Sequence, residues 1–235
     1  FLYLCDCFRT RSGSLFVLLR IYYGTKNIFT QAMEKAKPTK LALFASGNGT
    51  NVQRICEYFR GNERIRPAVL FCDRPRAFVL ERARQLGLPT VPIDKAKLSD
   101  PEFMLKALHA HEATHIVLAG FLTKIPGFLV QAYSGHIYNV HPALLPKFGG
   151  KGMYGMHVHE AVVAAREKES GITIHLVDEH YDQGKILFQA SCPVAPEDTA
   201  SDLAEKIHRL EQEHFPLVLE RFIGATPFEQ NTQTL

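Results

Sequence analysis

The chain has 235 residues, 46% hydrophobic and 22% charged, which is enough for one sizeable core or two small ones, and one domain is expected. Its formal net charge of +3 comes from Lys and Arg scattered among Asp and Glu; this excludes a basic stripe that would track a nucleic acid backbone and favours small anionic substrates over polymers. The five cysteines, Cys5, Cys7, Cys56, Cys72 and Cys192, have no CxxC pairing, so free thiols in a reducing cytoplasm and no metal site are expected.

The apolar run Leu15-Phe16-Val17-Leu18-Leu19 is stopped by Arg20, well short of the roughly 20 residues that span a bilayer. No small-residue cleavage site follows it, and no membrane anchor is expected. Translation is expected to begin at Met33, which heads a polar leader, with residues 1–32 an upstream extension. The expected organisation is an extension over 1–39, one folded domain over 40–224 and a polar tail over 225–235.

Beyond the leader, short apolar runs alternate with longer amphipathic stretches, the rhythm of βαβ units. Strands are predicted at 41–46, 68–73, 90–93, 115–120, 137–141, 172–178 and 186–193. A helix is predicted over 51–60 from the spacing of Val52, Ile55, Cys56 and Phe59, and another over 78–86 with Gly87 as its C-terminal cap. Two more are predicted at 156–168 and 200–222, the last capped by Asp198 or Thr199. The implied fold class is α/β, a single-domain open sheet, mostly parallel, flanked by helices and Rossmann-like.

Directly after the first strand comes Ser46-Gly47-Asn48-Gly49-Thr50-Asn51. Glycines let the backbone approach a ligand closely, and free amides at a helix start favour an anion, so the turn reads as a phosphate cradle. A dinucleotide fingerprint would need a third glycine at the required offset, which this loop lacks. A plain structural turn has the same composition.

Asn139-Val140-His141-Pro142 ends the fifth predicted strand, and Asp182 follows in Asp178-Glu179-His180-Tyr181-Asp182-Gln183-Gly184. Alternation along a strand puts Asn139 and His141 on one face, and Pro142 and Pro146 break the strand into a rigid loop. An amide, an imidazole and a carboxylate could hold a carbonyl, move a proton and set the charge of the imidazole. That set suits acyl transfer without a metal or a covalent intermediate. His157 and His159 open a predicted helix, where positions i and i+2 face apart, so no zinc site is expected there. Lys147 to Gly155 carries four glycines and is expected to be a mobile lid.

Three separated blocks, Ser46 to Asn51, Asn139 to Lys147, and Gly171 to Asp182, resemble the phosphoribosylglycinamide formyltransferases, folate-dependent enzymes of purine synthesis. The resemblance runs from Leu41 to about Ile223. It implies that Gly49, Thr50 and Asn51 bind the substrate phosphate and that Glu211, aligned on Phe215-Pro216, holds the rest of that substrate, phosphoribosylglycinamide. It implies that the donor is 10-formyltetrahydrofolate, with Leu122, Thr123, Lys124 and Ile125 along its ring, Asn139, Asp178 and Asp182 closing its pocket, and no metal. Thr123 stands where some relatives carry Arg, which transfers the tail contact to another cation such as Lys124. His157 lies in a region that shapes the pocket, and His175 is either a core histidine or a folate neighbour.

The chemistry implied is attack of the glycinamide amine on the formyl carbon. A protonated His141 and the Asn139 amide would stabilise the charge on oxygen, and Asp182 would favour the charged imidazole. A hydrolase that deformylates the same donor is the alternative. A relative acting on transfer RNA would be expected to add a C-terminal domain and a basic surface, and neither is expected here. A monomer or homodimer in the cytoplasm, without nucleic acid or membrane partners, completes the expectation.

Overall fold

The computed structural model describes residues 37–223. Cys5, Cys7, the start expected at Met33 and the tail over 225–235 lie outside the described residues. The described residues form one seven-stranded sheet. Its strands are β1 (Thr39–Ala45), β2 (Ile65–Cys72), β3 (Thr90–Pro92), β4 (His115–Leu118), β5 (Ile137–His141), β6 (Glu169–Leu176) and β7 (Ile186–Pro193). In space the order is β3-β2-β1-β4-β5-β6-β7. The first five strands run parallel, while β6 is antiparallel to both β5 and β7. The expected mostly parallel sheet is present, and its antiparallel member proves to be the one next to the Asn-x-His strand.

β1 is central because its residues are apolar on both faces. Leu41, Leu43 and Ala45 enter one core, and the alternate Ala42 and Phe44 enter the other. The first core is covered by α1 (Thr50–Tyr58), α2 (Val79–Leu86), α6 (Met156–Ala164) and α7 (Ala200–Ile223). The second is covered by α3 (Lys95–Leu98), α4 (Pro101–Ala110) and α5 (Gly127–Ala132). α4 starts where Asp100 accepts the Phe103 N–H at 3.2 Å and Pro101 takes a first-turn position that needs no donor.

Helix limits differ from the expected ones for local reasons. α1 begins at Thr50 because Gly49, at φ 79, turns the chain into it. α6 stops at Ala164, not at 168, because Arg166 takes φ 51. At the head of α7 it is Thr199 that caps: its hydroxyl accepts the Asp202 N–H, and Asp202 accepts the Thr199 N–H in return. Pro216 inside α7 leaves the Gln212 carbonyl without its helical donor, and Arg54 of α1 donates to it at 3.2 Å. β6 spans 169–176 where 172–178 was expected, since its pairing with β7 starts at Glu169 opposite Pro193.

The strand order reverses between β1 and β4. In open α/β sheets the crevice beyond the carboxyl ends of such strands is where ligands settle. The loops after β1, β4 and β5 therefore share one opening.

Candidate active site

One cavity of about 380 Å³ occupies that opening. It is lined by the glycine turn after β1, by Leu118 to Ile125 after β4, by Asn139 to Pro142 at the end of β5, and by Val177, Asp178 and His180 to Asp182 after β6. His159, His208 and Glu211 close its floor. A volume of this size suits small-molecule ligands with a few placed polar groups.

Asn139, His141 and Asp182 come together. His141 is 4% exposed, and its Nδ1 lies 3.6 Å from Asp182 Oδ2. On the other side of the ring, Nε2–H donates to the Phe148 carbonyl at 2.8 Å. Asp182, at φ 55, accepts the Gly150 N–H at 2.9 Å. The glycine-bearing segment thus supplies the backbone carbonyl and amide that hold both catalytic candidates in place. Burial pushes the His141 pKa below its ordinary value, and the Asp182 carboxylate and the Phe148 hydrogen bond oppose this without overcoming it. Asp182 thus acts in the expected direction, favouring the charged imidazole, but desolvation is the larger influence on the ring.

The histidine that the sequence left ambiguous joins this cluster. β5 and β6 pair so that Asn139 faces His175. His175 Nδ1–H donates to the Leu176 carbonyl at 2.9 Å, which leaves Nε2 to accept from Asn139 Nδ2 at 3.0 Å. Asp182 Oδ1 is 3.7 Å from the same Nε2. Burial lowers the His175 pKa, in keeping with a neutral ring of this tautomer. Only the antiparallel register could have revealed the pair.

At the other end, Gly49, Thr50 and Asn51 present the start of α1 to the cavity. Asn51 Nδ2 donates to Glu211 Oε2 at 2.9 Å, and both residues are buried. Burial raises the Glu211 pKa, against the Asn51 hydrogen bond and His208. Leu122, Thr123, Lys124 and Ile125 line the cavity, but the Thr123 hydroxyl donates to Asp73 Oδ2 at 2.7 Å. Ser46 ties that turn down, with its N–H on the Gly120 carbonyl and its hydroxyl accepting the Leu122 N–H, both at 3.0 Å. Lys124 Nζ sits 4.8 Å from the Tyr181 ring centre, across the mouth. Asp178 also lines the cavity and accepts the His180 N–H at 2.8 Å.

His157 and His159 do face apart. His157, expected in a region that shapes the pocket, is exposed, edge-on to Tyr154 and 3.4 Å from Glu160, and does not line the cavity. His159 is buried and does line it, with its pKa pushed down to about 4 by burial and by His208 and His141. Helical periodicity inside α6 decides which of the two turns inward.

Comparison with known proteins gives the family. The formyl transferase family matches residues 39–219. The chain is 41% identical over 189 residues to the chloroplastic phosphoribosylglycinamide formyltransferase of Vigna unguiculata, covering 78% of this chain and 60% of that protein. It therefore spans about three fifths of the length of the plant relative. With the phosphoribosylglycinamide formyltransferase of Bacillus subtilis it is 36% identical over 190 residues, 79% of this chain and 95% of that one. The crystal structure of glycinamide ribonucleotide transformylase 1 from Symbiobacterium toebii superposes with a TM-score of 0.74 at 30% identity, covering 81% of this chain and 90% of that one. With the glycine turn, the Asn139–His141–Asp182 cluster and the sheet all in place, the chain belongs to the formyl transferase family and, within it, to the phosphoribosylglycinamide formyltransferases.

Proposed function

We propose that the chain transfers the formyl group of 10-formyltetrahydrofolate to the amine of phosphoribosylglycinamide, in purine synthesis. The observation that carries this reading is that one cavity joins an anion-binding turn to an amide, imidazole and carboxylate cluster. A phosphorylated amine anchored at Gly49, Thr50 and Asn51 reaches the cluster without leaving that cavity. Leu122, Ile125, Val140 and Val177 line the other half, an apolar slot suited to the flat ring of the folate donor.

The donor supplies the reactive formyl group; the chain supplies protons and charge. Because the Phe148 carbonyl accepts from Nε2–H, the neutral His141 ring carries its lone pair on Nδ1. Nδ1 then takes a proton from the attacking amine and returns it to the departing nitrogen. During that interval the ring is a cation beside Asp182, whose carboxylate stabilises it. The 3.6 Å gap between them exceeds a direct hydrogen bond, which leaves room for a substrate atom to engage both. Asn139 Nδ2 has a second hydrogen beyond the one given to His175, and it donates this to the oxygen on which charge develops. Glu211 and Asn51 hold the hydroxyl or amine groups of the glycinamide substrate.

Among the described residues three thiols, Cys56, Cys72 and Cys192, are free, in keeping with the cytoplasm as the compartment. No helix of the described residues is long and apolar enough to cross a membrane. The partners in this reading are the two small substrates, acting on a monomer or a homodimer.

The test is a stopped assay of tetrahydrofolate release from 10-formyltetrahydrofolate, with and without phosphoribosylglycinamide. Release that depends on the ribonucleotide supports the transferase. Equal release without it makes the protein a hydrolase, and no release in either case overturns both.

A further inference from the structure

The glycine turn does not hold its shape alone: three consecutive residues of it are gripped by α2. The Val79 N–H donates to the Gly47 carbonyl at 3.1 Å. The Val79 side chain fills the space beside Gly49, so that a Cβ on Gly49 would lie 2.3 Å from Val79 Cγ2. Between these two contacts, Arg82 donates from Nε to the Asn48 carbonyl at 2.9 Å and from Nη2 to the Asn48 side-chain oxygen at 3.0 Å. Its Nη1 donates to Gln53 Oε1 in α1. The guanidinium is 4.9 Å from the Phe78 ring centre, which supports its face.

All three nitrogens of the guanidinium thus act on the turn or on the helix the turn opens. The planar fork fixes the distance between Asn48 and the first residues of α1, and so aims the amides of Gly49, Thr50 and Asn51. Its acceptors are carbonyl and amide oxygens, which leave its positive charge uncancelled next to an anion cradle. Lysine has one flexible ammonium and cannot span the same three acceptors in one geometry.

We propose that Arg82 is a positioning residue for the substrate phosphate, acting through Asn48 and the turn and not by touching the reacting atoms. This rests on the phosphate-cradle reading above. It differs from a structural role in what it changes. A group that only shapes the phosphate site alters binding of the ribonucleotide in ground state and transition state alike, so KM for that substrate rises while kcat stays.

The experiment compares the full chain with its Arg82→Gln and Arg82→Lys variants. Kinetics with both substrates are paired with calorimetric binding of ribose 5-phosphate, which needs no turnover. For Arg82→Gln, KM for phosphoribosylglycinamide is expected to rise roughly tenfold, with kcat within about threefold and donor KM within about twofold. Ribose 5-phosphate affinity falls by a similar factor, and Arg82→Lys recovers only part of either loss. Unchanged ribonucleotide KM and ribose 5-phosphate affinity in both variants would overturn the proposal. So would a parallel rise of both KM values with a lowered Tm, the signature of general loosening. Wild-type protein that binds ribose 5-phosphate but transfers no formyl group would refute the reaction and leave Arg82 to be judged by calorimetry. Wild-type protein that binds no ribose 5-phosphate would overturn the cradle and Arg82 together.

Discussion

Asn139 on β5 and His175 on β6 face each other across an antiparallel ladder, and the Asn139 amide donates to His175 Nε2 at 3.0 Å. The amide that would hold the developing oxyanion is therefore oriented by a buried neutral imidazole, itself anchored on the Leu176 carbonyl. Replacing His175 with Leu removes the acceptor and frees the amide to rotate. We expect kcat to fall by about tenfold to a hundredfold, less than the 10²–10³ typical of removing an oxyanion donor outright, which Asn139→Ala would do. Steady-state kinetics of the two variants and their double mutant check this; fully additive losses would argue against the coupling.

Burial lowers the His141 pKa, and Asp182 opposes that shift. The acid limb of kcat/KM should therefore lie below the ordinary imidazole range of about 6.5. Asp182→Asn removes the influence that raises the His141 pKa, so the limb should move to still lower pH. The plateau should fall by about 10²–10⁴, the range of proton-transfer catalysis. His141→Asn should abolish the limb along with the rate. A pH–rate profile in which the limb of Asp182→Asn moves upward would contradict this assignment.

Gly49 combines φ 79 with a neighbour, Val79, that leaves no room for a Cβ. Gly49→Ala should cost about 1–2 kcal/mol from the left-handed backbone alone, with the clash added. It should also weaken ribonucleotide binding. The double variant Gly49→Ala/Val79→Ala should recover only the part of the clash made by Val79 Cγ2, because Val79 Cβ and Cα would still lie 2.6 and 2.9 Å from the new Cβ. Chemical denaturation of the two variants and the wild type separates that part from the rest.

Away from the cavity, His115 is buried between strands, its Nδ1 is 3.0 Å from the Thr114 hydroxyl, and its ring centre is 4.8 Å from that of His136. Burial, and secondarily His136, push its pKa down to about 3. A histidine with a depressed folded pKa binds its proton more readily when unfolded. Its contribution to stability is therefore intact above about pH 6.5 and is lost as pH falls from there toward 3. The loss from this group approaches about 1.4 kcal/mol per pH unit within that window. His115→Gln should flatten the acid side of the stability curve between pH 6 and about 4, measured by urea denaturation, even if it lowers stability at pH 7.

Local chemistry made part of this protein legible from residues alone. The glycines after β1, the proline stop after His141 and the period-two placement of Asn139 with His141 depend only on neighbours in the chain, and all are where the sequence put them. The helix ends set by Gly49 and Arg166 are local too, but φ values above zero at a non-glycine such as Arg166 leave little mark on composition. What the tertiary structure decided was every property that depends on a distant segment. The reversed direction of β6 brought His175 to Asn139 and delivered Asp182 beside His141. The return of the Phe148 carbonyl gave His141 Nε2 its hydrogen-bond partner, and the enclosing core, by removing water, lowered the pKa of that imidazole despite its carboxylate. Desolvation and hydrogen-bond partnership are sums over the whole folded neighbourhood, so no reading of one strand and its flanking loop could have supplied them.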